Sequence, residues 1–118
     1  MRALILSDIH GNLEALNAVL DAAGSFEVLW NLGDVVGYGA SPNQVVDLIR
    51  PIAQLNVRGN HDRVCCGLTS ALGFNPVARA AALWTNKELT PENLAWLKSM
   101  PQGPLQPEFS EIACVHGS

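Results

Sequence analysis

The chain has 118 residues, enough to bury about two thirds of the surface its unfolded form would expose, so one compact domain is expected and two are not. Hydrophobic residues make up 48% and charged residues 15%, which excludes a disordered or collagen-like chain. The formal net charge of -4 gives no general attraction for a polyphosphate backbone, so nucleic acid is not an expected partner and any anion must be drawn in by a focused site.

In chain order, Ala3 to Leu6 is an unbroken apolar run of the kind found in a parallel strand covered on both faces. From Asn12 onward, Leu13, Leu16, Val19, Leu20 and Ala23 recur at helical spacing, with Asn12 as N-cap and Gly24 just past the end. Glu27 to Asn31 reads as a second strand, broken by Gly33-Asp34 and a glycine-rich loop through Gly39. Ser41-Pro42 opens a second helix with Val45, Val46, Leu48 and Ile49 on its apolar face, and Pro51 ends it. Ile52 to Val57 is the third expected strand, running into Arg58-Gly59-Asn60-His61-Asp62.

Asn75-Pro76 and Thr90-Pro91 repeat the cap-then-proline signal, which predicts helices over about Val77 to Asn86 and Glu92 to Ser99 and a helical insert at about 64–100. Three prolines then mark an irregular connection, and Ile112 to Val115 is expected to return as a strand. The βαβαβ order implies α/β architecture: a parallel sheet with flanking helices, whose ligands bind beyond the carboxyl ends of the strands.

Four of these strands end in residues able to bind metal: Asp8 with His10, Asp34, Asn60 with His61, and His116. Neighbouring strand ends would bring these groups to one small volume. A mixed oxygen and nitrogen set suits manganese, iron, nickel or zinc and matches calcium poorly. Singly, each residue has a bland reading as a turn or cap residue. Jointly they do not, because all three histidines of the chain fall at strand ends, two of them within two residues of Asp and Asn. Trp30, Trp84 and Trp96 read as core, and Arg58 and Arg63 as salt-bridge partners. Tyr38 reads equally as a wall of the substrate pocket or as a surface turn. Cys65, Cys66 and Cys114 form no disulfide framework, and no run of about 20 apolar residues offers a membrane span, so a cytoplasmic protein away from membranes is expected.

Asp8-Ile9-His10, Gly33-Asp34-Val35-Val36-Gly37-Tyr38-Gly39, Gly59-Asn60-His61-Asp62 and Val115-His116-Gly117-Ser118 together resemble four successive motifs of the calcineurin-like metallophosphoesterases, in order and spacing. That resemblance implies two divalent metal ions, with Asp8 and His10 on the first, Asp34 bridging, and Asn60 and His116 on the second. It implies hydrolysis of phosphate mono- or diesters by a metal-bridging hydroxide. His61 would protonate the leaving oxygen or stabilise charge there, Asp62 would orient its imidazole, and Asn60 would face the substrate as a neutral ligand.

The family pattern continues to a Gly-His-x-His segment, and its fold is an α/β/β/α sandwich. The chain therefore resembles the N-terminal half of such a domain, and truncation is the expectation. The alternative function is a catalytically incomplete binding or regulatory module that lacks the C-terminal histidine ligands. The phosphate-clamping arginine of the eukaryotic-type protein phosphatases is absent, so the resemblance is to the small prokaryotic phosphodiesterase and phosphatase branch. A small phosphorylated molecule is the expected substrate, and a homo-oligomer is left open.

Overall fold

The structure, a computed structural model, describes residues 1–107 and 111–117. Three parallel strands lie in the order β1 (Ala3–Leu6), β2 (Val28–Asn31), β3 (Leu55–Asn56). The helices between and after them are α1 (Leu13–Ala23), α2 (Pro42–Ile49), α3 (Asn60–Cys65), α4 (Pro76–Glu88) and α5 (Pro91–Ser99). The Asn12 side chain accepts from Ala15 N at 3.0 Å and so caps α1. Asn75 and Thr90 cap α4 and α5 in the same way, each with proline at the first helical position. Ser41 occupies the cap position of α2 without a side-chain hydrogen bond.

β2 sorts its side chains by alternation: Leu29 faces the main core, while Val28 and Trp30 face the other side of the sheet. The main core joins Leu29 to Val45, Val46 and Ile49 of α2 and to residues of α3, α4 and α5. The opposite face packs against Val57, Leu105 and Cys114 only in part, and Ile5 of β1 is 53% exposed. The expectation that β1 is covered on both faces does not hold for the described residues. Among the described residues, no helix is long and apolar enough to cross a membrane.

Three further expectations change. The third strand covers Leu55–Asn56 rather than Ile52 to Val57, because Ile52 N and Ala53 N both turn back to Ile49 O at the end of α2. The strand expected at Ile112 to Val115 is a single antiparallel bridge, Leu105 to Cys114. Pro104 and Pro107 bracket its partner and have no N–H to extend a ladder. Trp84 is not core but 43% exposed.

Candidate metal centre

Beyond their last strand residues, the first two chains of the sheet stay paired. Asp8 N donates to Gly33 O, His10 N to Asp34 O and Gly11 N to Val35 O, at 2.8–2.9 Å. These bonds require an unusual backbone. Asp8, His10, Asp34 and Tyr38 all have φ between 51° and 68°, a left-handed conformation that costs a non-glycine residue about 1–2 kcal/mol. They are all of the positive-φ non-glycine residues among those described, and they gather at one place. Such concentration of strain is a mark of a functional site. Close approach also dictates glycine at Gly39, where a Cβ would collide with His10 O, and at Gly59, where it would collide with the Asp34 carboxylate.

The five side chains expected to hold metal come together. His10 Nε2 lies 3.5 Å from Asp8 Oδ1 and 3.6 Å from Asp34 Oδ2. His116 Nε2 lies 3.3 Å from the same Asp34 oxygen and 3.1 Å from Asn60 Oδ1. Asp8, Asp34 and His116 each place a ligand atom within 4.8 Å of the others. The other oxygen of Asp34, Oδ1, accepts from His61 N at 2.9 Å, which fixes the carboxylate so that Oδ2 points between the two imidazoles. The Asp34 side chain is 4% exposed and that of Asp8 56%, so the centre is closed at Asp34 and open at Asp8.

The donor set fits divalent cations. His116 Nδ1 lies 2.7 Å from Leu32 O, a carbonyl that can only accept, so Nδ1 carries a proton and the neutral ring presents a lone pair at Nε2. That lone pair, the Asp34 carboxylate and Asn60 Oδ1 then face one another as acceptors. The reversed Asn60 amide would donate to His116 Nε2 at 3.1 Å and to Asp34 at 3.2–3.3 Å, which satisfies the protein groups alone. The orientation with three converging acceptors is the one a cation satisfies.

The two residues expected to act on the substrate behave differently from each other. His61 is buried beside this cluster, its ring centroid 4.9 Å from that of His10 and 4.9 Å from that of Tyr38. Burial lowers its pKa, with Asp34 opposing. The expected role of Asp62 in orienting that imidazole is corrected. Asp62 Oδ2 accepts from Asp34 N at 2.8 Å and Gly59 N at 2.9 Å, and Oδ1 accepts from Val36 N at 3.1 Å. Both oxygens thus tie the Asp34 loop to the start of α3, and none of these bonds reaches the His61 ring. Burial pushes the Asp62 carboxyl up to about 6 against the pull of its N–H donors.

Among the described residues, Arg58 and Arg63 have no salt-bridge partner of the kind expected. Arg58 donates to the carbonyls of Lys98 and Met100, and Arg63 to Thr69 Oγ1 and Gln102 Oε1. Tyr38 is 49% exposed and joins Asp8, His10, Asn12 and Ser41 in lining a cleft of about 620 Å³. Sequence reasoning missed Asn31, whose buried amide accepts from Gly33 N and donates to Asn56, fixing the turn before Asp34. It also missed Phe74, whose ring lies 4.5 Å from that of His61. A polar residue ending a strand was a readable signal for Asn31; nothing local marked Phe74.

A parallel sheet whose strand-end loops bring carboxylate, imidazole and amide groups together defines an α/β protein with a candidate metal centre. The profile of the calcineurin-like phosphoesterases matches residues 1–118, and the chain belongs to that family. It is 48% identical over 99 residues to an uncharacterized protein of Methanocaldococcus jannaschii, covering 82% of this chain and 41% of that protein. It is 26% identical over 117 residues to a symmetrical bis(5'-nucleosyl)-tetraphosphatase of Psychromonas ingrahamii, covering 95% of this chain and 42% of that enzyme. Among solved structures, a metallophosphoesterase from Sphaerobacter thermophilus superposes with a TM-score of 0.74 at 51% identity, over 86% of this chain and 42% of that one. The chain thus spans less than half the length of these relatives.

Proposed function

We propose that this chain holds two divalent cations, with Asp8 and His10 on one, Asn60 and His116 on the other and Asp34 shared, and that it hydrolyses phosphate mono- or diesters there. The observation that carries the reading is Asp34 Oδ2, which faces His10 Nε2 at 3.6 Å and His116 Nε2 at 3.3 Å from a carboxylate pinned on its other oxygen. When bound, divalent cations would lower the pKa of water at the site and neutralise phosphate charge. Asp34 supplies the anionic bridge, and Asn60 adds a ligand without adding negative charge against the phosphate. His61 stabilises the leaving oxygen, by a hydrogen bond as neutral imidazole or by its proton as imidazolium. Tyr38 forms a wall of the cleft that admits the ester.

The name of the Psychromonas ingrahamii relative makes a dinucleoside polyphosphate a candidate beside simple esters. The test is calorimetric titration with Mn²⁺, Ni²⁺, Zn²⁺ and Fe²⁺, followed by assays on 4-nitrophenyl phosphate, bis(4-nitrophenyl) phosphate and diadenosine tetraphosphate. Two bound ions per chain and turnover of at least one ester are expected. Asp34→Asn should lose bound metal, whereas His61→Ala should keep it and lose about 10²–10⁴-fold in turnover. A folded protein that binds cations and cleaves none of the three would show the alternative, a binding module without catalysis.

A further inference from the structure

His61 is held without a hydrogen bond to its buried ring nitrogen. Nδ1 has no partner among the described residues, and Asp62 is fully engaged elsewhere. What surrounds the imidazole is aromatic. The Phe74 ring lies at 4.5 Å and 35°, the Tyr38 ring at 4.9 Å and 42°, and His10 meets it edge-on at 4.9 Å and 84°. On the remaining side is Gly37, at φ 102°, where a Cβ would stand 2.8 Å from His61 Nδ1. No side chain other than hydrogen fits there while the ring keeps its place.

Phe74 is itself fixed. Its N–H donates to Ala71 O at 3.0 Å, closing a 3-10 turn at Ala71–Gly73. Its carbonyl and that of Leu72 accept from the Arg79 guanidinium of α4 at 3.3 and 3.2 Å. The next residue, Asn75, caps α4. A ring anchored in this way is a rigid stop rather than a mobile loop side chain.

We infer that Phe74 and Tyr38 are positioning residues that clamp the His61 imidazole, with Gly37 making room for it, in place of an orienting carboxylate. The inference rests on the proposed phosphoesterase role of His61. In that reaction a water oxygen bonds to phosphorus and the bond to the leaving oxygen breaks. The electron pair stays on the leaving oxygen, which takes a proton from the imidazolium, while the attacking water gives up a proton to solvent. A poor leaving group needs that proton and a good one does not, so ring position matters unequally for the two.

The test uses the full chain loaded with Mn²⁺ for kinetics, and the metal-free or Zn²⁺-loaded chain for NMR. Steady-state rates on phenyl phosphate and 4-nitrophenyl phosphate are compared for wild type, His61→Ala, Phe74→Leu and Phe74→Tyr. Phe74→Leu should lose about three- to tenfold on phenyl phosphate, the value of an aromatic contact, with little change on 4-nitrophenyl phosphate. Phe74→Tyr should restore the rate. By NMR, the His61 ring protons should show cross-peaks to Phe74 and Tyr38, and those to Tyr38 should weaken in Phe74→Leu while the rest of the spectrum is kept. Equal losses on both esters, or a His61 ring unmoved in Phe74→Leu, would overturn the clamp. If wild type cleaves neither ester, the NMR result alone decides whether the clamp exists, and the phosphoesterase reading falls only if bis(4-nitrophenyl) phosphate and diadenosine tetraphosphate are left intact as well. If wild type is active but His61→Ala shows no preference for the better leaving group, the assigned role of His61 fails instead.

Discussion

Both oxygens of Asp62 are occupied by backbone N–H groups, so its side chain acts as a joint between the loop after β2 and the start of α3. With a pKa of about 6 it is ionised at neutral pH, the form in which all three donors find a lone pair. An asparagine cannot reproduce this. If its oxygen takes the position of Oδ2, the Val36 N–H faces an NH₂ group; in the other orientation the N–H groups of Asp34 and Gly59 do. Each unsatisfied buried donor costs about 1–3 kcal/mol. Asp62→Asn should therefore lower the unfolding free energy by at least about 1–3 kcal/mol at neutral pH, and Asp62→Ala by more. Urea denaturation followed by tryptophan fluorescence measures it. An unchanged midpoint in both variants would show that the joint contributes nothing.

Helix α5 is fastened at both ends, and the fastening reaches the site. At its start, Asn43 of α2 accepts from Thr90 N and from the buried Asn93 amide, each at 3.0 Å, and donates to Glu88 O at 2.8 Å. At its end, Arg58 donates to the carbonyls of Lys98 and Met100, and Arg58 directly precedes Gly59 and Asn60. Asn43→Ala removes three hydrogen bonds, two of them exposed to water that can replace the partner, and should cost about 0.5–1.5 kcal/mol. Amide exchange in α5 should quicken while that in α1 stays as it was. Uniform quickening across both helices would show that Asn43 acts on the whole fold rather than on α5.

The same elements show what a sequence makes visible. α1, α4 and α5 carry their own start signals in Asn12, Asn75 and Thr90, because a cap bonds a donor only a few residues away. The gathering of the strand-end side chains was legible for a related reason: β1 and β2 are adjacent and parallel, so their ends must be neighbours. α3 was not legible, since its cap is Gly59 and only Asp62 three residues later hints at a helix. The contact of Phe74 with His61 and the separation of Asp62 from that ring depend on tertiary packing, which no local spacing encodes.

At the scale of the whole molecule, α1 to α5 contribute to a single core on one face of the sheet, the other face being only partly covered among the described residues, and Cys65 lies in that core with no exposure. Burial first, then the charges of Asp62 and Asp34 with the neighbouring Cys66, push its thiol up to about 12 from a usual value of 9.0. The folded state therefore holds a proton that the unfolded chain releases. Below about pH 9 both states keep it and the thiol imposes no pH dependence. Between about pH 9 and pH 12 the unfolded state is favoured by about 1.4 kcal/mol per pH unit, so folding weakens as pH rises. By about pH 10.5 the loss from this one group is about 2 kcal/mol. Cys65→Ser keeps the shape of the side chain, slightly smaller, and removes the titration, so comparing how wild type and variant change with pH isolates it from lysine and tyrosine. Between about pH 8 and about pH 10.5, the unfolding free energy from urea titrations should fall further in wild type than in Cys65→Ser by about 2 kcal/mol. Equal falls would show that the Cys65 thiol ionises as readily in the fold as out of it, and that the core is open to water at the point where α3 joins it.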